Sequence, residues 1–282
     1  MTASDSAKQP EYTTAVEVAD FRHNIAAVQA RIDAAAQRAG RDPSEVELLP
    51  VSKTVPEERI INAVAAGCRR LGENKVQEAK RKHGNLADLD VAWSVIGHLQ
   101  TNKAKDVAAF AAEFQALDSL RVAEALDRRL QAAGRALDVY VQVNTSDEDS
   151  KYGLEPEDLP ALLKQLPNYS SLRVRGLMTL ALFSDDAERV RPCFQKLRGL
   201  RDRMREENPD LIGDGGLSMG MSGDYELAIE EGSTCVRVGQ AIFGARATPD
   251  SMYWPSLPCR PDTSRDRLTA RVADLGGDRL GR

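Results

Sequence analysis

One lysine of this sequence, Lys53, stands where a reactive amine could be placed. It follows residues 46–51, an apolar run typical of a fully buried strand. Taken alone, the residue is more simply an exposed charge, because lysine is almost never fully buried unless it is paired. A lysine in a partly desolvated pocket, however, can lose its proton and form a Schiff base with a carbonyl group. Other parts of the sequence are needed to decide between these two interpretations.

Two turns later in the sequence offer backbone N–H groups to a phosphate. The first follows a predicted strand that ends at Met221 and passes through Ser222 into a short helix. The second, at Gly239 and Gln240, follows the next predicted strand. Unpaired N–H groups at the start of a helix attract anions, and barrels commonly hold phosphate in the loops after strands seven and eight. The alternative is that the glycines only permit tight turns.

An arginine on the last predicted strand, Arg237, adds a third part. A phosphate held by the two turns and a lysine across the barrel mouth are what a Schiff base to pyridoxal phosphate (PLP) requires. Enzymes that use PLP as a strong electron sink place a carboxylate beside its pyridine nitrogen. An arginine would instead donate to an unprotonated nitrogen and weaken the sink. The alternative for Arg237 is an ion pair at a strand edge.

Three further residues are weaker candidates. Asn74 follows the second predicted strand and would either orient the ring oxygen of the cofactor or cap the next helix. His98 follows the third strand and would either bond to loop backbone or line the pocket. Lys151 lies in a polar loop and is normally a solvated charge. A second lysine near the barrel mouth would nevertheless be able to accept the aldehyde during release or transfer.

An alternation of strands and helices positions these residues. Apolar residues spaced by three and four predict a long first helix over 14–39, ahead of the first strand. Eight strand–helix units then favour a single parallel (β/α)8 TIM barrel over a doubly wound sheet, with the candidate residues at its carboxyl-side face. The predicted strands are residues 46–51, 69–71, 91–96, 114–117, 137–143, 172–180, 216–221 and 234–238, and the helices between them are 56–66, 75–82, 101–112, 119–133, 156–166, 186–207 and 224–231.

Composition and charge narrow the classes of function. The chain has 282 residues, a hydrophobic content of 42% that suffices for a core, and a net charge of −5, which argues against a nucleic-acid partner. We find neither a signal peptide nor a long apolar run, so we expect a cytoplasmic protein with no membrane partner. The four cysteines form no C-x-x-C pair, so no metal site is indicated. We expect a disordered segment at 1–12, a barrel over 13–248 and a polar, partly ordered tail over 249–282.

Six segments of the sequence occur in the order and at the spacing of a known family's motifs. They are PVSKT, GENKVQEA, WSVIGHLQTNKAK, SDEDSKYGL, RGLMTLA and LSMGMSGDYELAIEEGSTCVRVGQAIFGAR. The chain resembles the pyridoxal phosphate homeostasis proteins, also called the proline synthase co-transcribed homologue family. The resemblance covers about residues 15–247.

The resemblance implies both a fold and a set of roles. The fold would be a single barrel similar to the amino-terminal domain of bacterial alanine racemase. Lys53 would be the Schiff-base lysine, and Arg237 would face the pyridine nitrogen. Ser222, Gly239 and Gln240 would hold the phosphate, although Gln240 stands where the family commonly has threonine. The implied role is to bind, buffer and deliver PLP, with apo PLP-dependent enzymes as recipients and no established turnover.

Two enzyme classes remain as alternatives. A PLP-dependent racemase needs an acid or base on each face of the substrate, and Lys53 supplies only one. In alanine racemase a second domain of the partner subunit supplies the other, and residues 249–282 are too few and too polar to form such a domain. We therefore expect a monomeric carrier. A Schiff-base aldolase without cofactor is disfavoured by the two phosphate-binding turns.

Overall fold

The sheet at the centre of the molecule is parallel throughout. A computed structural model describes residues 12–146, 152–184 and 186–245. In this described part, eight strands form one sheet in the order β1-β8-β7-β6-β5-β4-β3-β2. The strands are β1 Glu47–Pro50, β2 Arg70–Glu73, β3 Ala92–Val95, β4 Glu113–Leu117, β5 Leu137–Gln142, β6 Leu172–Met178, β7 Gly216–Met221 and β8 Cys235–Val238.

A single parallel bridge joins the two ends of this sheet. It connects Val51 with Gly72, and the Ser52 backbone N–H donates to the Gly72 carbonyl oxygen at 3.0 Å. The strands therefore form a nearly closed barrel surrounded by helices. The predicted (β/α)8 barrel with an extra amino-terminal helix is confirmed. The helices are α1 Val18–Arg38, α2 Glu57–Ala65, α3 Val76–Asn85, α4 Ala104–Phe110, α5 Leu120–Ala132, α6 Leu159–Gln165, α7 Ala187–Glu207, α8 Tyr225–Glu230 and α9 Gln240–Phe243.

Helix α1 buries the apolar face that its residue spacing predicts, including Phe21, Val28 and Ile32. The residue pattern predicts a start at residue 14, but the helix begins at Val18. Residues 12–15 form no helix and bond instead to the backbone that follows β8, where the Ala15 N–H donates to Phe243 O at 3.4 Å and Tyr12 O accepts from the Ala245 N–H at 3.1 Å. A long-range contact that the sequence does not display therefore sets the start of the helix.

The predicted start of α5 is confirmed, and that of β4 differs by one residue. Ser119 precedes α5 as its N-cap residue, but its hydroxyl donates to Asp118 Oδ1 at 3.1 Å and makes no capping bond to the helix. Strand β4 begins at Glu113, whose backbone pairs with Ser94 of β3 and whose carboxylate is buried and paired. Its Oε1 accepts from Ser94 Oγ at 2.9 Å and from Gln115 Nε2 at 2.6 Å. Buried polar groups of this kind are tolerated when they are hydrogen-bonded.

The closest backbone approach between β6 and β7 requires glycine at residue 176. A Cβ added there would overlap the carbonyl oxygen of Gly216 and lie 2.6 Å from its nitrogen. Residue 199 is the reverse case, since a Cβ added to Gly199 inside α7 meets nothing within 4 Å. Tertiary packing therefore requires Gly176, whereas Gly199 has no packing role.

We expect Gly176→Ala and Gly199→Ala to change stability in opposite directions. Gly176→Ala forces the two strands apart and should lower the free energy of unfolding by about 3 kcal/mol. Gly199→Ala improves helix propensity and should raise it by about 0.5–1 kcal/mol. The measurement is urea denaturation followed by circular dichroism. Equal midpoints for the two variants would contradict the assigned packing of β6 against β7.

Candidate functional site

Lys53 lies in a tight turn that follows β1. The Val55 N–H donates to Ser52 O at 3.0 Å, which closes a four-residue turn with Lys53 and Thr54 at its centre. Thr54 has φ of 65°, a left-handed conformation. A positive φ at the third residue is the feature of a type II turn, where glycine or asparagine is usual. Lys53 itself is half-buried.

The conformation of Thr54 is strained. In the described part of the chain it is the one residue other than glycine with positive φ, and it is β-branched. For such a side chain this region is a genuine outlier that costs roughly 1–2 kcal/mol. Backbone strain of this kind collects at functional sites, where the surrounding structure holds it. The strained turn that carries Lys53 is therefore a candidate functional site.

The two turns predicted to bind phosphate are in contact. The Gly239 backbone N–H donates to Ser222 Oγ at 3.2 Å. Helix α9 begins at Gln240, directly after Gly239, and helix α8 begins shortly after Ser222. Gly223 and Gly239 both have negative φ, so neither needs glycine for a left-handed conformation. Gly223 nevertheless lies in a tight turn, since the Asp224 N–H donates to Met221 O at 3.1 Å, and both interpretations of these glycines stay open.

Arg237 is buried in the barrel at the level of these turns. It pairs with Leu49 of β1 on one side and with Met221 of β7 on the other. Its side chain donates from Nη1 to Ser218 Oγ at 2.6 Å and from Nη2 to Thr179 O at 2.7 Å. Burial lowers the pKa of the Arg237 guanidinium. Strand β8 lies inside the sheet and the two acceptors are neutral, so the strand-edge ion pair is wrong.

A chain of hydrogen bonds inside the barrel fixes the guanidinium. Ser218 Oγ donates to Gln115 Oε1 at 2.7 Å, and Gln115 Nε2 donates to Glu113 Oε1 at 2.6 Å. Because an amide nitrogen only donates, Glu113 Oε1 accepts from Gln115, which turns the Gln115 oxygen toward Ser218 and orients the Ser218 hydroxyl. Sequence patterns did not single out Gln115 and Ser218. Their signal is that both are polar residues on buried strands.

Asn74 lies at the next strand end, half-buried after β2. A Cβ added to Gly97, which follows β3, would overlap the Asn74 backbone and side chain. The helix-capping alternative for Asn74 is wrong, because the residue that precedes α3 is Lys75 and the helix has no side-chain cap. Asn74 is therefore fixed by its contact with the β3 loop.

His98 makes its described contacts with side chains. Its Nδ1 lies 3.2 Å from Asp118 Oδ2, and its ring stacks on Tyr152 with centroids 4.2 Å apart. These contacts replace the bond to loop backbone that was one of the two expectations for His98. The residue is exposed at the rim. Lys151 lies outside the described residues.

The predicted site residues lie on neighbouring strand ends. Strand β1 lies between β8 and the bridge to β2, and β8 pairs with β7. The amine, the guanidinium and the two turns are thus carried by the adjacent strands β1, β8 and β7. The arrangement combines one amine, a buried cation and a cluster of N–H and hydroxyl groups. It suits a small anionic ligand that carries a carbonyl group. Among the described residues, no group of three or more His, Cys, Asp or Glu side chains is placed to hold a metal ion.

Comparison with known proteins agrees with this geometry. Residues 19–247 match the family model described as "Alanine racemase, N-terminal domain". A pyridoxal phosphate homeostasis protein of Pseudomonas aeruginosa is 47% identical over 226 residues, which are 79% of this chain and 94% of that protein. The structure of PipY of Synechococcus elongatus with PLP bound is 35% identical with a TM-score of 0.70, and the match covers 79% of this chain and 100% of PipY.

A more distant structure is similar in fold alone. Alanine racemase of Streptomyces lavendulae is 16% identical with a TM-score of 0.65, and the match covers 86% of this chain and 62% of the racemase. The fold and the strand-end site define a barrel of the alanine racemase amino-terminal type. Within that class, the chain belongs to the family of pyridoxal phosphate homeostasis proteins. In the described residues, no helix is both long and apolar enough to cross a membrane.

We expect Thr54→Gly to raise the free energy of unfolding by about 1 kcal/mol, because glycine adopts the left-handed conformation without the Cβ penalty. Thr54→Ala, which keeps a Cβ, should gain little. Chemical denaturation of the two variants beside the parent protein measures the difference. If glycine is no more stable than alanine at this position, Thr54 is not strained.

Proposed function

We propose that this protein binds pyridoxal 5′-phosphate as a Schiff base on Lys53, buffers its concentration and delivers it to apo PLP-dependent enzymes. The single observation that carries the proposal is that Lys53, the buried Arg237 and the Ser222–Gly239 contact are carried by the adjacent strands β1, β8 and β7 and the turns that follow them. Family membership and the PLP-bound structure of PipY support it. PLP supplies an aldehyde for the amine, a phosphate for the turns and a ring nitrogen for the guanidinium.

The phosphate would be held by the two turns after β7 and β8. Ser222 offers a hydroxyl and Gln240 a backbone N–H at the start of α9, and the Gly239 N–H, which here donates to Ser222 Oγ, would donate to the phosphate in its place. Met221 precedes this turn and would line the ring, and its own N–H donates to Asp224 Oδ1 at 2.6 Å. Asn74 and His98 would complete the rim on the opposite side.

Arg237 supports a carrier more than an enzyme. A guanidinium has five donors and no acceptor, so a ring nitrogen that faces it must be unprotonated. The two described bonds of Arg237 use one donor on each terminal nitrogen. An unprotonated ring is a weak electron sink and favours holding the cofactor over reactions at the substrate α-carbon. We therefore propose that no catalytic residue is present and that Lys53 serves binding.

Several further properties belong to this proposal. The barrel that binds PLP would span residues 13–248, with 1–12 and 249–282 outside it. Cys68, Cys193 and Cys235 are free and buried, which suits a reducing compartment and supports a cytoplasmic location. We propose a monomer with no nucleic-acid or membrane partner. Lys151 would accept the aldehyde during transfer.

The alternative function is a PLP-dependent racemase or another enzyme that acts at the α-carbon. The fold that the chain shares with alanine racemase favours it. It requires a second acid or base opposite Lys53, and the described groups that we propose for the rim include Asn74, His98 and the Ser222 turn. His98 is the titratable member of these, and its described contacts are with Asp118 and Tyr152.

We expect the purified protein to be yellow and to pass its PLP to an added apo-enzyme. Lys53→Ala should lose the visible absorption band, because the Schiff base absorbs there and the free amine is gone. Incubation with a panel of L-amino acids, followed by chiral chromatography, should give no D-enantiomer. Lys80→Met, which removes an exposed lysine paired with Asp106, is the matched control and should keep the band.

Two results would contradict the proposal. A colourless protein that takes up no added PLP would show that PLP is not its cofactor. Production of a D-amino acid that depends on Lys53 would establish the enzyme and reject the carrier.

A further inference from the structure

A buried cluster of charges lies behind the turn that carries Lys53. We propose that Lys82, Glu73 and Glu78 form a clamp that fixes this turn and thereby directs the Lys53 amine toward the aldehyde of PLP. The proposal rests on the proposed function, because it concerns the orientation of the amine that would bind the aldehyde. The three are positioning residues, since they act through the backbone on either side of Lys53.

The centre of the clamp is the Lys82 ammonium group. Lys82 lies on α3 and its side chain is fully buried. Its Nζ donates to the backbone oxygen of Ser52, to Glu73 Oε1 and to Glu78 Oε1, each at 2.7 Å. These bonds match the three donors of a lysine. A buried charge is tolerated only when it is paired and hydrogen-bonded, so the ammonium has one position and holds its acceptors there.

The clamp bonds to the residues on both sides of Lys53. On the preceding side, Ser52 O accepts from Lys82, and Ser52 Oγ donates to Glu73 Oε1 at 2.6 Å. On the following side, the Thr54 backbone N–H donates to Glu78 Oε1 at 2.7 Å. Lys53 therefore lies between two peptide units that are tied to the same three charged side chains.

The hydrogen bond from the Thr54 N–H to Glu78 acts on the strained residue itself. Thr54 is held at a φ of 65° that its own side chain disfavours. A hydrogen bond from backbone N–H to an ionised carboxylate is roughly twice as strong as a neutral one, so it can offset this strain. Because Lys82 is bonded to the same oxygen, the carboxylate is itself fixed. The turn is thus held in a conformation that the sequence Ser-Lys-Thr-Val would not favour alone.

Stability alone does not explain the cluster. Burial raises the pKa of Glu73, although Lys82 and Ser52 oppose this effect. Glu73 Oε2 is buried and has no hydrogen-bond partner within the described part of the chain. A half-satisfied buried carboxylate costs stability. Departures from an optimal structure are expected where a residue serves a site, and the residue served here is Lys53.

The effect on binding follows from geometry. A lysine on a turn with a mobile backbone would sample many side-chain orientations, whereas the Schiff base requires one orientation of the amine. Misplacing a reacting group by about 1 Å can cost on the order of 100-fold. The described hydrogen bonds of the clamp reach Ser52 and Thr54, whereas Arg237 and the Ser222–Gly239 contact lie on β8 and in the turns after β7 and β8, so we expect loss of the clamp to leave these groups in place. The clamp should therefore contribute only to the affinity for a ligand whose aldehyde bonds to the Lys53 amine.

Two ligands separate this contribution from general damage. PLP forms the Schiff base, whereas pyridoxine 5′-phosphate has the same ring and phosphate but an alcohol in place of the aldehyde. For Lys82→Met we expect PLP affinity to fall about 10- to 100-fold, with loss of the visible band. The affinity for pyridoxine 5′-phosphate should stay unchanged. Both are measured by fluorescence titration of the full-length protein.

Matched variants test the clamp without removing its central charge. Glu78 is 18% exposed in its side chain and tolerates change better than Lys82. Glu78→Ala removes the acceptor of the Thr54 N–H and should weaken PLP alone, whereas Glu78→Gln keeps an oxygen there and should restore most of the affinity. Lys80→Met removes an exposed lysine of the same helix and should change the affinity for neither ligand.

The outcomes distinguish the two proposals. If the variants weaken both ligands equally, or weaken neither, while the parent protein prefers PLP, the clamp is overturned and the proposed function stands. If the parent protein itself binds PLP no more tightly than pyridoxine 5′-phosphate and shows no visible band, the Schiff base on Lys53 is wrong and the clamp falls with it.

Discussion

The turn at the end of β1 is the constraint on which the site depends. A reactive lysine needs a backbone that holds it in one place, and residues 52–55 provide this through a tight turn with Thr54 in a left-handed conformation. The turn is joined to β2 by the Val51–Gly72 bridge and to β8 by the bond from Val51 N to Val238 O at 2.9 Å. The two ends of the sheet therefore meet where the amine is displayed. The contacts that close the barrel therefore also hold the turn that carries Lys53.

A second constraint comes from inside the barrel. Glu113, Gln115 and Ser218 form a directed chain of hydrogen bonds that ends on Arg237. The direction matters because Glu113 accepts at one end, Gln115 and Ser218 each accept on one side and donate on the other, and the guanidinium is the donor at the opposite end. The chain also satisfies polar groups that would otherwise be costly to bury. The polar interior thus has one arrangement, and the cation at its upper end is fixed.

The sequence predicts much of this fold because parallel strands are buried on both faces and are read as continuous apolar runs. The eight strands and the helices between them follow from such runs, and the family motifs imply the roles proposed for Lys53, Ser222 and Arg237. Features that depend on tertiary contacts were not predictable. Lys82 lies in a helix that is polar overall and would be taken as solvated, yet two of its three partners are 9 and 30 residues away. The left-handed Thr54 and the late start of α1 have the same origin in long-range contacts.

Chemical mapping of the bound cofactor tests the central claim most directly. Borohydride reduces a Schiff base to a stable secondary amine, so the treated protein can be digested and the modified lysine located by tandem mass spectrometry. The account predicts one modification per chain, on Lys53 in the segment that follows β1. Modification of a different lysine, or of none in a protein that retains PLP, would contradict the assignment of Lys53 as the amine of the site.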